Sequence, residues 1–159
     1  MKVLNVPRRV ALMIAGPVLG AVVIIAGVAI HRAYQSSQRA RRRPAFADMR
    51  TLGAALESYS VKEDAYPRTP GSAFVPTDRL APLLLPTYLH QLPRLDGWGH
   101  PYLVRSSEAA YTIVSYGSDG RPDGPGDPVP DSSGGTTSFS NDIIFSNGSF
   151  VRFPRGGDD

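Results

Sequence analysis

The fold of this 159-residue chain is decided around residues 96–102, which read DGWGHPY. Trp98 stands between two glycines, whose lack of side chains lets its ring lie flat against a neighbouring helix. Pro101 has a fixed φ and suits the entry into a strand. We therefore expect this stretch to have a structural role, joining a helix on its N-terminal side to strands on its C-terminal side.

Downstream of this stretch, three or four short strands are predicted, drawn from Tyr102–Arg105, Tyr111–Ser115, Ile143–Phe145 and Phe150–Phe153. The last two are separated by Ser146-Asn147-Gly148-Ser149. Asn-Gly at the centre of such a connection is the strongest short-range hairpin signal, because both residues tolerate the positive φ of a type I′ turn. The sequence therefore predicts a small antiparallel meander that ends in a tight hairpin.

Upstream, apolar residues recur at three- and four-residue steps: Phe46, Met49, Leu52, Leu56 and Tyr59. This spacing predicts an amphipathic helix that follows Pro44 and ends near Lys62. A short second helix is predicted over Arg79–Leu85, inside a proline-rich stretch, with Pro82 limiting its length. One long helix packed on a small antiparallel sheet is an α+β domain.

An uncharged apolar run of 21 residues, Val10–Ile30, precedes the domain. As a helix it would span about 31 Å, which is enough to cross a hydrocarbon core of roughly 30 Å. A cleaved secretory signal is the alternative, but its apolar part usually has only about 7–15 residues. We expect a basic segment over residues 1–9, a transmembrane helix over 10–30, a basic linker or helix continuation over 31–44, and a soluble domain over 45–159.

Charge is distributed unevenly along the chain. Residues 1–47 carry eight Lys/Arg and no acid, whereas residues 48–159 carry nine Lys/Arg and fourteen Asp/Glu. The basic residues flank an apolar segment, which favours contact with lipid headgroups over nucleic-acid binding. The chain has no cysteine, which excludes disulfides, thiol catalysis and thiolate zinc sites.

The segment from Gly117 to Asp142 is rich in Gly, Pro, Ser, Thr and Asp, and it carries five aspartates against the single Arg121. A loop this long inside a small domain is either functional or disordered. Hard cations such as Ca²⁺ bind six to eight oxygens from carboxylates and backbone carbonyls. The composition therefore leaves two alternatives, a calcium site and a solvated flexible loop. The spacing of the aspartates is not that of an EF-hand.

The sequence predicts that the protein is not an enzyme. Its histidines are His31, His90 and His100. The sequence contains no G-x-S-x-G, H-E-x-x-H or G-x-x-x-x-G-K-[ST] motif, so none of the common nucleophile, zinc or phosphate signatures is present. Surface or hydrogen-bonding roles are expected for His90 and His100.

Three patches resemble the major pseudopilin of type II secretion systems (the G component) and its pilin-like relatives. The helix end, residues 52–67, resembles the family's tyrosine–proline closure. The stretch YLHQLPRLDGWGHPY, residues 88–102, is similar to the signature YL..LP..DxWGxPY. SYGSDG, residues 115–120, matches the SxGxDG that opens the family's calcium loop, and NDIIFSNG, residues 141–148, resembles the loop-closing acid and final hairpin.

The resemblance implies a pilin-like structural component of a secretion or pilus-type machine, with its C-terminal domain in the periplasm and a single span in the bacterial inner membrane. It implies other pseudopilins or inner-membrane secretion proteins as partners, and homo-oligomers. It also implies calcium as a stabilising ion. Tyr116 would supply a backbone carbonyl, Asp119 a carboxylate and Asp142 a ligand or anchor, with Asp123 and Asp127 as candidates from the middle of the loop.

The N-terminus departs from the family pattern. Gly16 and Gly20 are followed by Pro17 and Ala21, and no acid occurs before Asp48, so the prepilin cleavage site with its downstream glutamate is missing. We therefore expect an unprocessed N-terminus. The departure leaves a second interpretation, a stand-alone membrane-anchored pilin-fold binding module that does not polymerise, and a third, a linker subunit that contacts membrane proteins through Gly16 and Gly20.

Overall fold

The computed structural model describes residues 8–71, 73–124, 134–136 and 138–154, with side chains from Gly20 onward. The helices are α1 (Arg8–Glu63) and α2 (Ala81–Leu84), the latter preceded by a 3-10 turn (Thr77–Leu80). The strands are β1 (Val75–Pro76), β2 (Leu103–Ser106), β3 (Tyr111–Ser115), β4 (Gly134–Thr136), β5 (Ile143–Ser146) and β6 (Ser149–Pro154). The chain divides into two units, Met1–Ser37 and Gln38–Asp159.

The first unit exposes apolar helix side chains. Six of them are 47–71% exposed: Val22, Val23, Ile24, Ile25, Val28 and Ile30. In the part of the chain that the structure describes, no helix combines the length and apolarity needed to span a membrane. The predicted span Val10–Ile30 lies partly outside that part, since the side chains of residues 10–19, including Gly16 and Pro17, are not described.

In the second unit, α1 buries the face that the sequence spacing predicts. Met49, Leu52 and Leu56 are at most 2% exposed, and Phe46 and Tyr59 pack partly buried against the same core. The helix ends at Glu63, one residue beyond the predicted end. Asp64 follows with a φ of 56°, a left-handed conformation that stops helix propagation and that aspartate tolerates. The predicted amphipathic helix is therefore confirmed.

The sheet has six strands in the order β1-β2-β3-β5-β6-β4. Four of its five neighbouring pairs are antiparallel, as predicted, but β4 pairs with β6 in parallel. The four predicted strands, β2, β3, β5 and β6, form the expected antiparallel meander. The sheet as a whole is mixed and not antiparallel, because β4, which was not predicted, joins it in parallel. Asn147 (φ 46°) and Gly148 (φ 82°) form the turn between β5 and β6, which confirms the hairpin predicted from Asn-Gly.

A single core lies between α1 and the sheet in the second unit. Its sheet-side residues include Tyr102, Tyr111, Ile113 and Ile143, each at most 1% exposed. At the helix–sheet seam, a Cβ atom on Gly53 would overlap the Phe145 ring and lie 2.9 Å from the Tyr111 hydroxyl. A glycine is therefore required for α1 to approach β3 and β5 this closely.

Candidate metal centre

The long loop begins with a turn that its glycines make possible. Gly117 and Gly120 have φ values of 61° and 66°, which glycine adopts without strain. A Cβ atom on Gly117 would lie 2.7 Å from the carbonyl oxygens of Phe139 and Asn141, so the start and end of the loop touch there. The Ser118 amide also donates to the Phe139 carbonyl at 2.9 Å. The loop is thus closed at its base.

Asp123 and Asp142 meet inside this closed base, 19 residues apart in the sequence. The Asp142 amide donates to the Asp123 carboxylate at 2.8 Å, and the Asp123 amide donates to the Asp142 carboxylate at 3.2 Å. The Arg152 guanidinium pairs with the same Asp123 oxygen, Oδ2, at 2.9 Å. Two carboxylates are therefore held side by side with one cation.

Asp142 is the buried member of this pair. It is 0% exposed, and its Oδ1 has no hydrogen-bond partner among the described residues. Burial raises the pKa of Asp142 to about 7, an effect that the Asp123 amide and Arg152 oppose and that the Asp123 charge reinforces. A buried carboxylate oxygen without a partner is costly, and a hard cation would satisfy it.

The structure shows fewer contacts for the other predicted ligands. Asp119 is exposed and its carboxylate accepts from the Arg121 amide at 3.1 Å, yet its charge also raises the pKa of Asp142. Tyr116 is partly buried, and burial together with the charge of Asp142 raises the pKa of its hydroxyl. Asp127 lies outside the described residues. Within the described residues, no three acidic or histidine side chains come close enough to hold a metal ion.

Asp123 and Asp142 nevertheless offer the kind of ligand atom that Ca²⁺ prefers, hard carboxylate oxygens. One oxygen of Asp142 is buried and has no partner among the described residues. Arg152 is the residue that the sequence reasoning missed. It follows the hairpin turn by only a few residues, and nothing in the local sequence indicates that it faces the loop.

A buried aspartate buttresses the start of the loop. Asp96, which is 6% exposed, accepts from the amides of Trp98 and His100 at 3.0 and 2.9 Å and from the Ser115 hydroxyl at 2.6 Å. The His100 ring Nδ1 lies 2.9 Å from the Gly117 carbonyl oxygen. The expected structural role of residues 96–102 is explained by these contacts.

Ser115, Asp96 and His100 are close together, but they are not arranged as a catalytic relay. In such a relay the histidine lies between the serine and the carboxylate. Here the Ser115 hydroxyl donates directly to Asp96, while the ring of His100 faces a backbone carbonyl. These contacts give each of the three side chains a structural role.

A groove also lies elsewhere on the domain. Its volume is about 790 Å³, and it is lined by Asp48, Thr51, Leu85, His90, Gln91, Leu92, Pro93, Arg94 and Leu95. Its charged groups already have partners, since Asp48 accepts from the Tyr102 hydroxyl at 3.0 Å and Arg94 pairs with Asp78 at 2.9 Å. We therefore place the candidate site at the loop, where a buried carboxylate oxygen lacks a partner among the described residues.

Comparison with known proteins gave one family. A family model described as Type II secretion system (T2SS), protein G, matches residues 32–130, which is more than half of the chain. The match includes the DGWGHPY stretch and the opening of the loop. Neither the curated proteins nor the solved structures gave a match.

Proposed function

This chain belongs to the type II secretion system protein G family, and on that premise we propose that it is a structural subunit of a type II secretion or pilus-type machine. The family consists of structural, non-catalytic components that interact with other parts of the secretion system. The observation that carries the proposal is the match over residues 32–130, which covers the domain's helix, strands β1 to β3 and the start of the loop.

We propose that the apolar part of α1 inserts into the bacterial inner membrane and places the C-terminal domain in the periplasm. Six exposed aliphatic side chains between Val22 and Ile30 support this. A contiguous apolar surface of that kind is unstable in water and is covered by lipid or by other apolar helices. Other pseudopilins, further copies of this chain and inner-membrane secretion proteins are the proposed partners.

We further propose that calcium binds the loop and stabilises the domain without taking part in any reaction. Asp142 and Asp123 would hold the ion from the closed base of the loop, with Asp119, Asp127 and the Tyr116 carbonyl completing the set. The ion would neutralise carboxylates that otherwise repel each other. The buried Oδ1 of Asp142, which has no partner among the described residues, supports this assignment.

Cysteine cross-linking tests assembly, because the chain has no cysteine of its own. Val22 and Ile25 are 56% and 68% exposed. In membranes of the native cell, mild oxidation of the V22C/I25C variant should produce covalent species of two and more copies, since apolar helix faces pack together in lipid. The readout is gel mobility without reductant.

The matched control is V61C, whose parent side chain is 83% exposed on the second unit and which should stay monomeric. A single cross-linked species with a different protein, without multimers of this chain, would favour the non-polymerising binding module.

A reporter fusion tests the location of the domain. Alkaline phosphatase joined after Asp159 should be active, because this enzyme folds with disulfides and therefore only outside the cytoplasm. Long C-terminal domains cross the membrane largely regardless of the flanking charges. A cytoplasmic reporter at the same position should be inactive. The reverse pattern would contradict both the periplasmic location and the secretion role.

A further inference from the structure

Arg152 forms an ion pair that differs from the other ion pairs of the described chain. Its side chain and that of Asp123 are only 18% and 20% exposed, at a distance of 2.9 Å. The pairs Arg68–Glu108 and Arg94–Asp78 have similar lengths, but their side chains are 55–71% exposed. Screening by water makes exposed pairs weak, whereas a mostly buried pair depends strongly on both partners.

The sheet register places Arg152 between a strand inside the loop, β4, and the strand that follows the loop, β5. On β6, Arg152 lies opposite Ile144 of β5, two residues after Asp142. On the other side it lies opposite Gly134 of β4. The guanidinium is thus positioned by three strands and not by a flexible surface segment.

The carboxylates that face Arg152 outnumber it. Oδ2 of Asp123 accepts both from Arg152 and from the Asp142 amide. Asp142 itself is fully buried, and its Oδ1 has no partner among the described residues. Among the described residues, the Arg152 cation therefore pairs directly with one of two adjacent carboxyl groups and leaves the other, that of Asp142, without an ion pair.

We propose that Arg152 is a built-in counter-ion that holds the loop closed without metal and competes with calcium for Asp123. The competition rests on the calcium site proposed above, whereas the closing role does not. A divalent cation that reaches Oδ1 of Asp142 must share Asp123 with the guanidinium or displace it. The guanidinium and the bound cation would then repel each other strongly, because both are positive and the site is partly buried. The arginine therefore lowers the calcium affinity of the loop while it stabilises the metal-free form.

The test compares Arg152→Gln with the wild type, using the full chain in mild detergent. In EGTA, R152Q should melt lower by about 5 °C or more, because one partner of a mostly buried ion pair is removed. Calorimetric titration with calcium chloride should give a dissociation constant at least about tenfold lower for R152Q than for the wild type, because the repelling charge is gone. Arg152→Lys should lie between the two.

Arg68→Gln is the matched control, since it removes an arginine from an ion pair of similar length whose side chains are exposed. It should change the melting temperature by less than about 2 °C and leave calcium binding unaltered. If R152Q melts like the wild type in EGTA, the counter-ion role is wrong. If calcium binds R152Q no more tightly than the wild type, the competition is wrong.

Two further outcomes separate this inference from the calcium proposal. If neither protein binds calcium but R152Q is destabilised in EGTA, the calcium proposal and the competition fail while the counter-ion role is supported. If R152Q does not fold, the double variant R152Q/D123N decides. Its recovery would support the ion pair as the cause, because both charges are then removed together, and its failure to recover would overturn the proposal.

Discussion

Replacing Gly97 by alanine should lower the melting temperature of the full chain by more than about 10 °C. A Cβ atom at this position would overlap the carbonyl oxygen of Arg41 in α1. The helix backbone cannot move aside without breaking its own i to i+4 hydrogen bonds. Residues 96–102 would therefore move away from α1. Overpacking of this kind costs on the order of 3 kcal/mol.

The same displacement should break a neighbouring contact. The Trp98 indole donates to the Gln38 side-chain oxygen at 2.7 Å, and this bond fastens residues 96–102 to α1. Thermal melting followed by circular dichroism is the measurement. Gly124→Ala is the control, since a Cβ there meets nothing within 4 Å among the described residues and the backbone is not left-handed. It should shift the midpoint by less than about 2 °C. Equal melting midpoints for G97A and the wild type would show that residues 96–102 do not approach α1 this closely.

The parts of the fold that the sequence predicted are those with strong local signals. The spacing of Met49, Leu52 and Leu56 predicted the buried face of α1, because a period of 3.6 residues requires a helix. Asn147 and Gly148 predicted the final hairpin, because few other pairs adopt two positive φ values. Strand β3 was predicted with the bounds observed, Tyr111–Ser115, and β2 is shifted by one residue.

The edge strands could not be predicted in the same way. β1 has two residues and β4 has three, and they contain proline and glycine, which both disfavour strands. They pair because the strands beside them are already fixed in the sheet. The parallel pairing of β4 depends on where the long loop returns, which is a property of the tertiary structure.

The residues of the candidate site also divide into those that the sequence predicted and those that only the fold brings together. The sequence predicted Asp142 as a ligand or anchor and Asp123 as a candidate from the middle of the loop. In the structure the backbone amide of each donates to the carboxylate of the other. Arg152 was not predicted, because its relation to Asp123 arises from the strand register and not from any local motif. The support from Asp96 to Ser115 likewise joins residues 19 apart in the sequence. Pairings across such distances follow from the fold.

Calcium at millimolar concentration should raise the melting temperature of the full chain by roughly 10 °C near neutral pH. Binding to the folded state alone adds RT ln(1 + [L]/Kd), about 2.7 kcal/mol at a hundredfold excess over Kd, and a domain of this size shifts by several degrees per kcal/mol. Asp142→Asn should remove this increase, because it takes away the charge of the buried ligand while keeping its shape. Melting in calcium chloride and in EGTA is the measurement.

The stability of the domain should also change with pH, in a direction that a solvated loop would not produce. Burial raises the pKa of Asp142 to about 7, whereas an unfolded aspartate has a pKa of about 3.9. Between these values the unfolded chain has lost the proton and the folded chain keeps it, so the free energy of unfolding falls as pH rises. In EGTA the wild type should therefore melt higher at about pH 5 than at about pH 8, and D142N should lack this contribution.

Calcium should reverse the trend, because it binds the ionised carboxylate and its affinity falls when that group is protonated. The increase in melting temperature caused by calcium should therefore grow as pH rises through about 7. Asp119→Asn, which removes an exposed charge, should weaken the calcium effect less than D142N does. If the wild-type melts in calcium and EGTA coincide at every pH, the loop does not bind calcium. An increase that is independent of pH would instead place the ion away from Asp142.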